Sequence, residues 1–456
     1  MIRLTLTETA AAAGGRLISG EGASIISGVS TDTRTMRAGD LFIALRGENF
    51  DGHDYLGGLA EKAPGALLVS SAFTCSFAPV IRVGDTLQAL GALAGYVRKK
   101  AAPEVFCVTG SNGKTTTKEM LSSILSSTGR KTLKSEGNFN NLVGLPLTIF
   151  RLDGREDYLV LELGMSAPGE ILRLAEIAAP NFGVITNVGP SHLEHFPSVE
   201  DIGKAKKELA RQMGENSFLA VNADNLYLED TAKYTKATLF TFGIENKSDF
   251  KMDDISRSGT GYCFSINGIK GFSIETIAYH NLYNALAATA LARCAGISWE
   301  IIKEGLAKFT SHSMRMQEYL FGGIRVINDS YNSNPLSLDA ALKTLGSLRG
   351  GRRIAVLGDM LELGPASGEY HRKAGEAAIG HCDALFTFGP LSDFINHGFS
   401  SSGRDSLHFD SKAELLQKLA EYIKSGDTLL IKGSRGMKME EIFTGLREKF
   451  IGKGGN

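Results

Sequence analysis

The sequence predicts an α/β protein of three domains, spanning residues 1–100, 101–311 and 312–456. Three observations lead there. A chain of 456 residues exceeds what one ordinary core organises. Short apolar runs rich in β-branched residues alternate with helically spaced ones, the pattern of a parallel sheet covered on both faces. That pattern breaks twice, at the charged, proline-containing stretch Val97–Glu104, which reads as a linker, and at FTSHS, 309–313.

In the first hundred residues the apolar runs are short (Leu41–Leu45, Ala66–Val69, Val80–Val83) and separated by Gly- and Asp-rich turns. From Val105 the rhythm becomes strand, turn, helix. VFCVTG reads as a strand buried on both faces, and TTTKEMLSSILSS places Met120, Leu121, Ile124 and Leu125 at helical spacing. YLVLELG, FGVITNVG, SFLAVNAD and ATLFTFG continue the strands, and a helix is expected over Asn281–Ala295. The last third repeats the pattern with IRVINDS, RRIAVLGD, ALFTFGP and DTLLIKGS, and with an amphipathic helix opened by a Ser411-x-x-Glu414 capping box. There is no tandem repeat, and the closing GKGGN reads as a frayed tail.

Composition narrows the function classes. Lys plus Arg number 49 against 50 for Asp plus Glu, so nothing argues for nucleic acid or an anionic membrane as partner. The five cysteines are scattered, with no CxxC spacing, which fits a reducing compartment rather than a disulfide framework or a zinc site. No run of about 20 apolar residues occurs, so no membrane insertion is expected and the protein reads as cytoplasmic. A monomer is expected.

The most informative segment is VFCVTGSNGKTTT, Val105–Thr117. Gly110 and Gly113 allow a tight turn whose N–H groups converge on a phosphate, and the following helix directs its positive end at the same anion. Lys114 would neutralise the outer phosphates and Thr115 would hold Mg²⁺ by its hydroxyl. The spacing is GxxGKT, shorter than the usual GxxxxGKT. An ordinary glycine turn has the same outline, but Gly-Lys-Thr at a strand-to-helix junction is uncommon by accident; ATP or GTP binding is the reading. A triphosphate site needs further ligands, and Glu162 ends an apolar strand, where a carboxylate is costly unless paired or metal-bound. The competing reading is a carboxylate pointing out of an edge strand. His192, in ITNVGPSHLEHF, follows the next such strand, but on spacing alone His195 is an equal candidate.

Taken together, these segments resemble the Mur ligase family. TGSNGKTTT resembles its ATP loop, and LELGM and TNVGPSHLEHF its metal segments. AYHNLYNALAA resembles its nucleotide-binding helix, and MRMQ, NDSYNSNP, VLGDMLELG and LLIKGSRGMKME its C-terminal half. VSTDTRTMRAGDLFIALRGENFDGHDY resembles its N-terminal UDP-sugar domain, and EGNFNNLVGLPLT a segment of the members that add D-alanyl-D-alanine. The resemblance implies a UDP-sugar-binding α/β domain, a central P-loop parallel-sheet ATPase domain and a Rossmann-like C-terminal domain. It implies an ATP-dependent ligase, acting through an acyl phosphate, whose substrates are UDP-N-acetylmuramoyl-tripeptide and D-alanyl-D-alanine.

Roles follow by position. Gly110, Ser111, Asn112, Gly113, Lys114, Thr115 and Thr116 are implied to hold ATP, with His280, Asn281 and Asn284, and with Arg315 and Asp329 reaching in from the third domain. Thr115, Glu162, His192 and Lys206 are implied to serve two Mg²⁺ ions, Lys206 as a carbamate formed with CO₂. Lys114, Lys206 and His192 are the implied catalytic set. Because Lys204 and Lys207 flank it, Lys206 is chosen by register; a solvated basic helix face is the alternative. Substrate contacts are implied for Asp32, Thr33, Arg34, Asp51, His53, Asn138, Asn140, Asn332, Asn334, Lys432 and Arg435, with Ser434 by weaker analogy. For Asn332 and Asn334 a turn built with Pro335 is an equal reading. Domain closure about residues 100 and 311 would bring Arg315 and Asp329 onto the nucleotide. Other amino-acid-adding ligases, the folate polyglutamating type, and a non-catalytic nucleotide-binding scaffold are the rival readings.

Overall fold

The computed structural model describes residues 2–311 and 313–451; the GKGGN tail, 452–456, and His312 within the second expected boundary lie outside them. Three large sheets carry the described residues, beside a two-stranded antiparallel pair, Leu4–Thr5 with Ile25–Ile26. The first has five strands in the order Arg16–Ser19, Val80–Arg82, Ala66–Val69, Asp40–Ile43 and Gly28–Ser30, parallel except for the first pair.

The central sheet has nine strands. Thr132–Lys134, Tyr158–Glu162, Glu104–Thr109, Phe182–Ile185, Phe218–Asn222, Thr238–Gly243 and Phe250–Ser258 run parallel in that order. Gly261–Ile266 and Ile269–Ile274 then complete the sheet antiparallel, so it is mixed rather than wholly parallel as expected. The local causes are two tight turns: Gly259-Thr260, where Gly259 has φ of 59°, reverses the chain first, and Asn267-Gly268, with φ of 51° and 75°, closes the second hairpin.

The third sheet runs Gln317–Phe321, Ile324–Asp329, Thr428–Lys432, Arg353–Gly358, Ala384–Phe388 and Asp405–Phe409, again parallel except for its first pair.

Helices cover both faces of the central sheet. On one, Lys114–Ser126, Asn281–Cys294 and Trp299–Ala307 pack over Phe106, Val108, Tyr158 and Val160. On the other, Thr86–Ala101 packs against Gly144–Ile149 and Glu170–Ala178. Here the expectation of a linker at Val97–Glu104 is corrected: Val97–Ala101 is the last turn of a helix, and only Ala102 and Pro103 separate it from the strand beginning at Glu104. Arg98, Lys99 and Lys100 sit where the negative end of the helix favours cations. The buried face of this helix joins Leu68 and Ile81 of the first sheet to Val105 and Ile171 of the centre in one continuous core. A second correction concerns Ser411, which stands at the N-cap of Lys412–Tyr422 but makes no capping hydrogen bond. No helix among the described residues is long and apolar enough to cross a membrane.

The carboxyl ends of the central and third sheets face one another across a cleft of about 970 Å³, the place where open parallel sheets bind ligands. The helix Lys114–Ser126, which carries the glycine loop, is held tightly from behind. A Cβ on Gly305 would lie 2.4 Å from the Ile124 Cα, and the Ser123 hydroxyl donates to the Gly305 carbonyl at 2.7 Å. Gly305→Ala is therefore expected to destabilise the protein by ~1–3 kcal/mol through overpacking, read as a lowered denaturation midpoint. Gly57→Ala, with open space around the added methyl, should change stability by less than ~0.5 kcal/mol.

Candidate active site

The glycine loop leaves the strand Glu104–Thr109 and enters the helix at Lys114. Gly113 has φ 81°, and a Cβ there would fall 2.1 Å from the Asn284 Oδ1; at Gly110 it would fall 1.9 Å from the Thr186 Oγ1. Both glycines are required by close approach as well as by turning. The loop is buttressed from the neighbouring strand end. Thr186 Oγ1 donates to the Asn112 carbonyl at 2.6 Å, and the Asn112 N–H donates to Asn187 Oδ1 at 2.9 Å. Ser111, expected at the nucleotide, has its hydroxyl bonded to both the carbonyl and the N–H of Gly189. Neither Thr186 nor Asn187 was singled out in the sequence, although both stand in the ITNVG segment.

Charge is concentrated at the end of this loop. Lys114 Nζ donates to the Gly110 carbonyl at 2.8 Å. Thr115 Oγ1 donates to Glu162 Oε2 at 2.8 Å, and Asn140 Nδ2 donates to Glu162 Oε1 at 2.9 Å. Glu162 is buried and forms no ion pair with Lys or Arg among the described residues. It does not point out of an edge strand, because Tyr158–Glu162 lies between two others. One buried carboxylate beside one hydroxyl suits Mg²⁺, which keeps several waters and takes one or two protein ligands together with phosphate oxygens.

The three lysines in the AKKEL region are now distinguishable. Lys204 is exposed and pairs with Asp201 at 2.7 Å. Lys207 is buried but paired with Asp230 and set over the Tyr234 ring. Lys206 is 1% exposed and has no ion pair among the described residues. Burial, and then the charge of Lys114, push the Lys206 ammonium well below its ordinary range. Burial and the nearby Arg315 lower Lys114 as well, against the opposing pull of Glu162.

The third sheet supplies the opposite wall. Arg315 Nη2 donates to Thr115 Oγ1 at 3.0 Å, and its guanidinium lies 3.9 Å from the centre of the Tyr331 ring. Asp329 accepts from Lys432 Nζ at 2.6 Å and from the Met316 N–H at 3.1 Å, so Lys432 is held by Asp329 and by the Asn332 carbonyl at 2.9 Å. Asn112 and Asn334 exchange two amide hydrogen bonds, of 3.1 and 2.9 Å, across the cleft. Asn334 also caps Pro335–Ser347, which makes the turn reading true of it. Asn332 Oδ1 accepts from the Ser333 and Arg435 N–H groups, while the Arg435 side chain pairs with Glu440. The Ser434 hydroxyl donates to the Ser333 carbonyl.

The remaining predicted residues divide. Thr116, His280, Asn281 and Asn284 line the cleft. Asn281 and Asn284 bond to each other and to Thr276 and Thr117. The His280 Nδ1 is buried without a hydrogen-bond partner among the described residues, and burial lowers this imidazole's affinity for a proton. His192 lines the cleft and His195 does not, which separates the two candidates. Asn138 is exposed outside the cleft. Asp32, Thr33, Arg34, Asp51 and His53 also lie outside it and organise their own loops. Asp32 is paired with Arg34 at 2.7 Å, which holds its carboxyl down at about 2. Thr33 accepts from Lys62 through its carbonyl, and Asp51 is bonded to the His53 Nδ1 at 2.6 Å. His53 Nε2 accepts from the Ser70 N–H at 3.0 Å.

Comparison with known proteins bears on this arrangement. Residues 25–98 match the family described as "Mur ligase family, catalytic domain", 108–292 the "Mur ligase middle domain" and 314–435 the "Mur ligase, glutamate ligase domain". The UDP-N-acetylmuramoyl-tripeptide–D-alanyl-D-alanine ligase of Bacillus subtilis is 39% identical over 93% of this chain and 94% of its own. That of Escherichia coli is 36% identical over 98% of this chain and 99% of its own. A crystal structure of MurF from Acinetobacter baumannii superposes with a TM-score of 0.92 at 30% identity, covering 98% of this chain and 99% of its own. The MurF ligase of Thermotoga maritima, in complex with ADP, gives 0.84 at 28% identity over 93% and 98%.

Gly113→Ala combines a strained φ with a collision against Asn284. It is expected to lower ATP affinity by at least about tenfold with an unchanged circular dichroism spectrum. Unaltered affinity by calorimetry would contradict the loop assignment.

Proposed function

Because the chain belongs to the Mur ligase family, we propose that it joins D-alanyl-D-alanine to UDP-N-acetylmuramoyl-tripeptide, converting ATP to ADP and phosphate in peptidoglycan precursor synthesis. The observation that carries this reading is the convergence on one cleft of Lys114, Thr115 and Glu162, with Arg315 reaching the same hydroxyl from the opposite wall and Lys206 buried behind the lining within reach of the Lys114 charge. Near-full-length identity to ligases of that name supports the substrate pair, and the ADP complex of the Thermotoga relative supports the nucleotide. The N-terminal domain takes the UDP-sugar, the central domain ATP and the C-terminal domain the dipeptide. The protein acts in the cytoplasm, as a monomer.

The reaction divides into two displacements. A terminal carboxylate oxygen of the tripeptide attacks the γ-phosphorus, the bond to the β,γ-bridging oxygen breaks, and ADP leaves an acyl phosphate. The amine of D-alanyl-D-alanine then adds to the acyl carbon, the carbon–oxygen bond to phosphate breaks, and the proton shed by nitrogen goes to solvent. Lys114, at the loop, and Arg315, across the cleft, stabilise charge that builds on the transferring oxygens, in positions fixed before substrate arrives. Thr115 and Glu162 would hold Mg²⁺, which supplies further neutralisation of phosphate charge. Lys206, whose charged form burial disfavours, is suited to add CO₂ at its amine nitrogen with loss of a proton to solvent; the carbamate would place an anion beside Lys114 and, with His192, would hold a second ion.

Two measurements test this. Phosphate release, with ATP and the UDP-tripeptide present, should be stimulated by D-alanyl-D-alanine and not by D-glutamate, lysine or diaminopimelate; stimulation by a single amino acid alone would defeat the proposal. Lys206→Ala should lower kcat by at least about a hundredfold, with partial rescue by short-chain carboxylic acids. Full activity of that variant without rescue would refute the carbamate.

A further inference from the structure

His192 sits at the cleft on a loop of the central domain, and its partner comes from the other side. Nδ1 of His192 lies 2.6 Å from Oε2 of Glu362, a residue in the VLGDMLELG segment that no role yet covers. The contact is one of three between the same two loops. The Glu194 N–H donates to the Glu362 carbonyl at 3.1 Å, and Gly364 approaches so closely that a Cβ there would lie 3.0 Å from the Leu193 carbonyl oxygen. Leu193, between them, packs against the core of the C-terminal domain. His192 and Glu362 both adopt left-handed backbone conformations, with φ of 57° and 64°. Non-glycine residues hold such angles at a cost of about 1–3 kcal/mol, and they persist where surrounding contacts impose them.

We infer that Glu362 is a positioning residue for His192, fixing its ring and its tautomer from across the domain boundary. An imidazole has one N–H and one lone pair when neutral. A carboxylate accepts only, so Nδ1 must be the donor and Nε2 is left with its lone pair free for a metal ion or a phosphate-bound proton. Carboxylates behind ligating histidines act in this way generally, and their loss costs about 10–100-fold. The two loops belong to different domains. The imidazole is therefore oriented only when the C-terminal domain is docked on the centre, which ties readiness of the site to closure. This rests on the role proposed for His192, so the decisive readout must not depend on turnover.

The test uses the full chain and its Glu362→Ala and Glu362→Gln variants, with ¹⁵N-labelled histidine and His192→Gln to assign the ring. Glu362 is exposed enough for both variants to fold. In the wild type, long-range ¹H–¹⁵N spectra at pH 8 should show His192 as a single Nδ1–H tautomer. Glu362→Ala should shift it toward the Nε2–H form common in free imidazoles and lower kcat about tenfold or more, with KM for D-alanyl-D-alanine little changed. Glu362→Gln, whose amide oxygen still accepts, should restore most of both. A wild-type ring already in the Nε2–H form would overturn the inference. So would a kcat loss in Glu362→Ala with the tautomer unmoved, since that is what a merely structural contact gives.

Discussion

A concentration of positive charge around one buried carboxylate is the constraint on which the rest of the structure depends. Lys114, Lys206 and Arg315 converge where Glu162 is the carboxylate at hand. Burial lowers both ammonium groups; the charge of Lys114 adds to the cost at Lys206, and that of Arg315 to the cost at Lys114. A cleft of this kind is stabilised by anions, and a triphosphate with a peptide carboxylate supplies them. The close backbone approach at Gly110 and Gly113, the Thr186 and Asn187 buttress and the tight seat of the following helix on Gly305 all hold that charge in place.

The second organising feature is that the site is made by two sheets rather than one. Arg315 and the Asn112–Asn334 amide pair cross from one carboxyl edge to the other. Asp329 makes no hydrogen bond to the loop among the described residues; it orders Lys432 and the Met316 backbone, and so the segment that carries Arg315. Met314 and Met316, on either side of Arg315, both have positive φ, and the Tyr331 ring lies under the guanidinium. That local strain is the sort found where a side chain must be aimed.

Much of this was legible in the sequence, for reasons of periodicity and composition. The glycine loop, the flanking strand and helix and the carboxylate at a strand end follow from short-range patterns, and they lie where those patterns put them. What required three dimensions was mostly long-range. Spacing alone left His192 and His195 equivalent, and only the fold turns one of them to the cleft. The three lysines near position 206 differ by burial and partner, not by residue type. Glu362 and the Thr186–Asn187 buttress act through contacts with residues far away in the chain. The misread linker had a local cause: charge and a proline signalled a break, but the basic residues belong to the final turn of a helix whose apolar face is buried. The turns at Gly259-Thr260 and Asn267-Gly268 that make the central sheet mixed are short-range signals present in the sequence. Asp32, Arg34, Asp51 and His53 stand apart from the cleft and bond to one another in pairs.

In the proposed reaction a peptide carboxylate oxygen receives the outermost phosphoryl group held by this loop. The fate of that oxygen decides whether it does. With both oxygens of the tripeptide's terminal carboxylate enriched in ¹⁸O, mass spectrometry of the phosphate released during ligation should find one heavy oxygen in each molecule, the other remaining in the new amide. Phosphate carrying no label would mean that no acyl phosphate forms, and would rule the proposed reaction out.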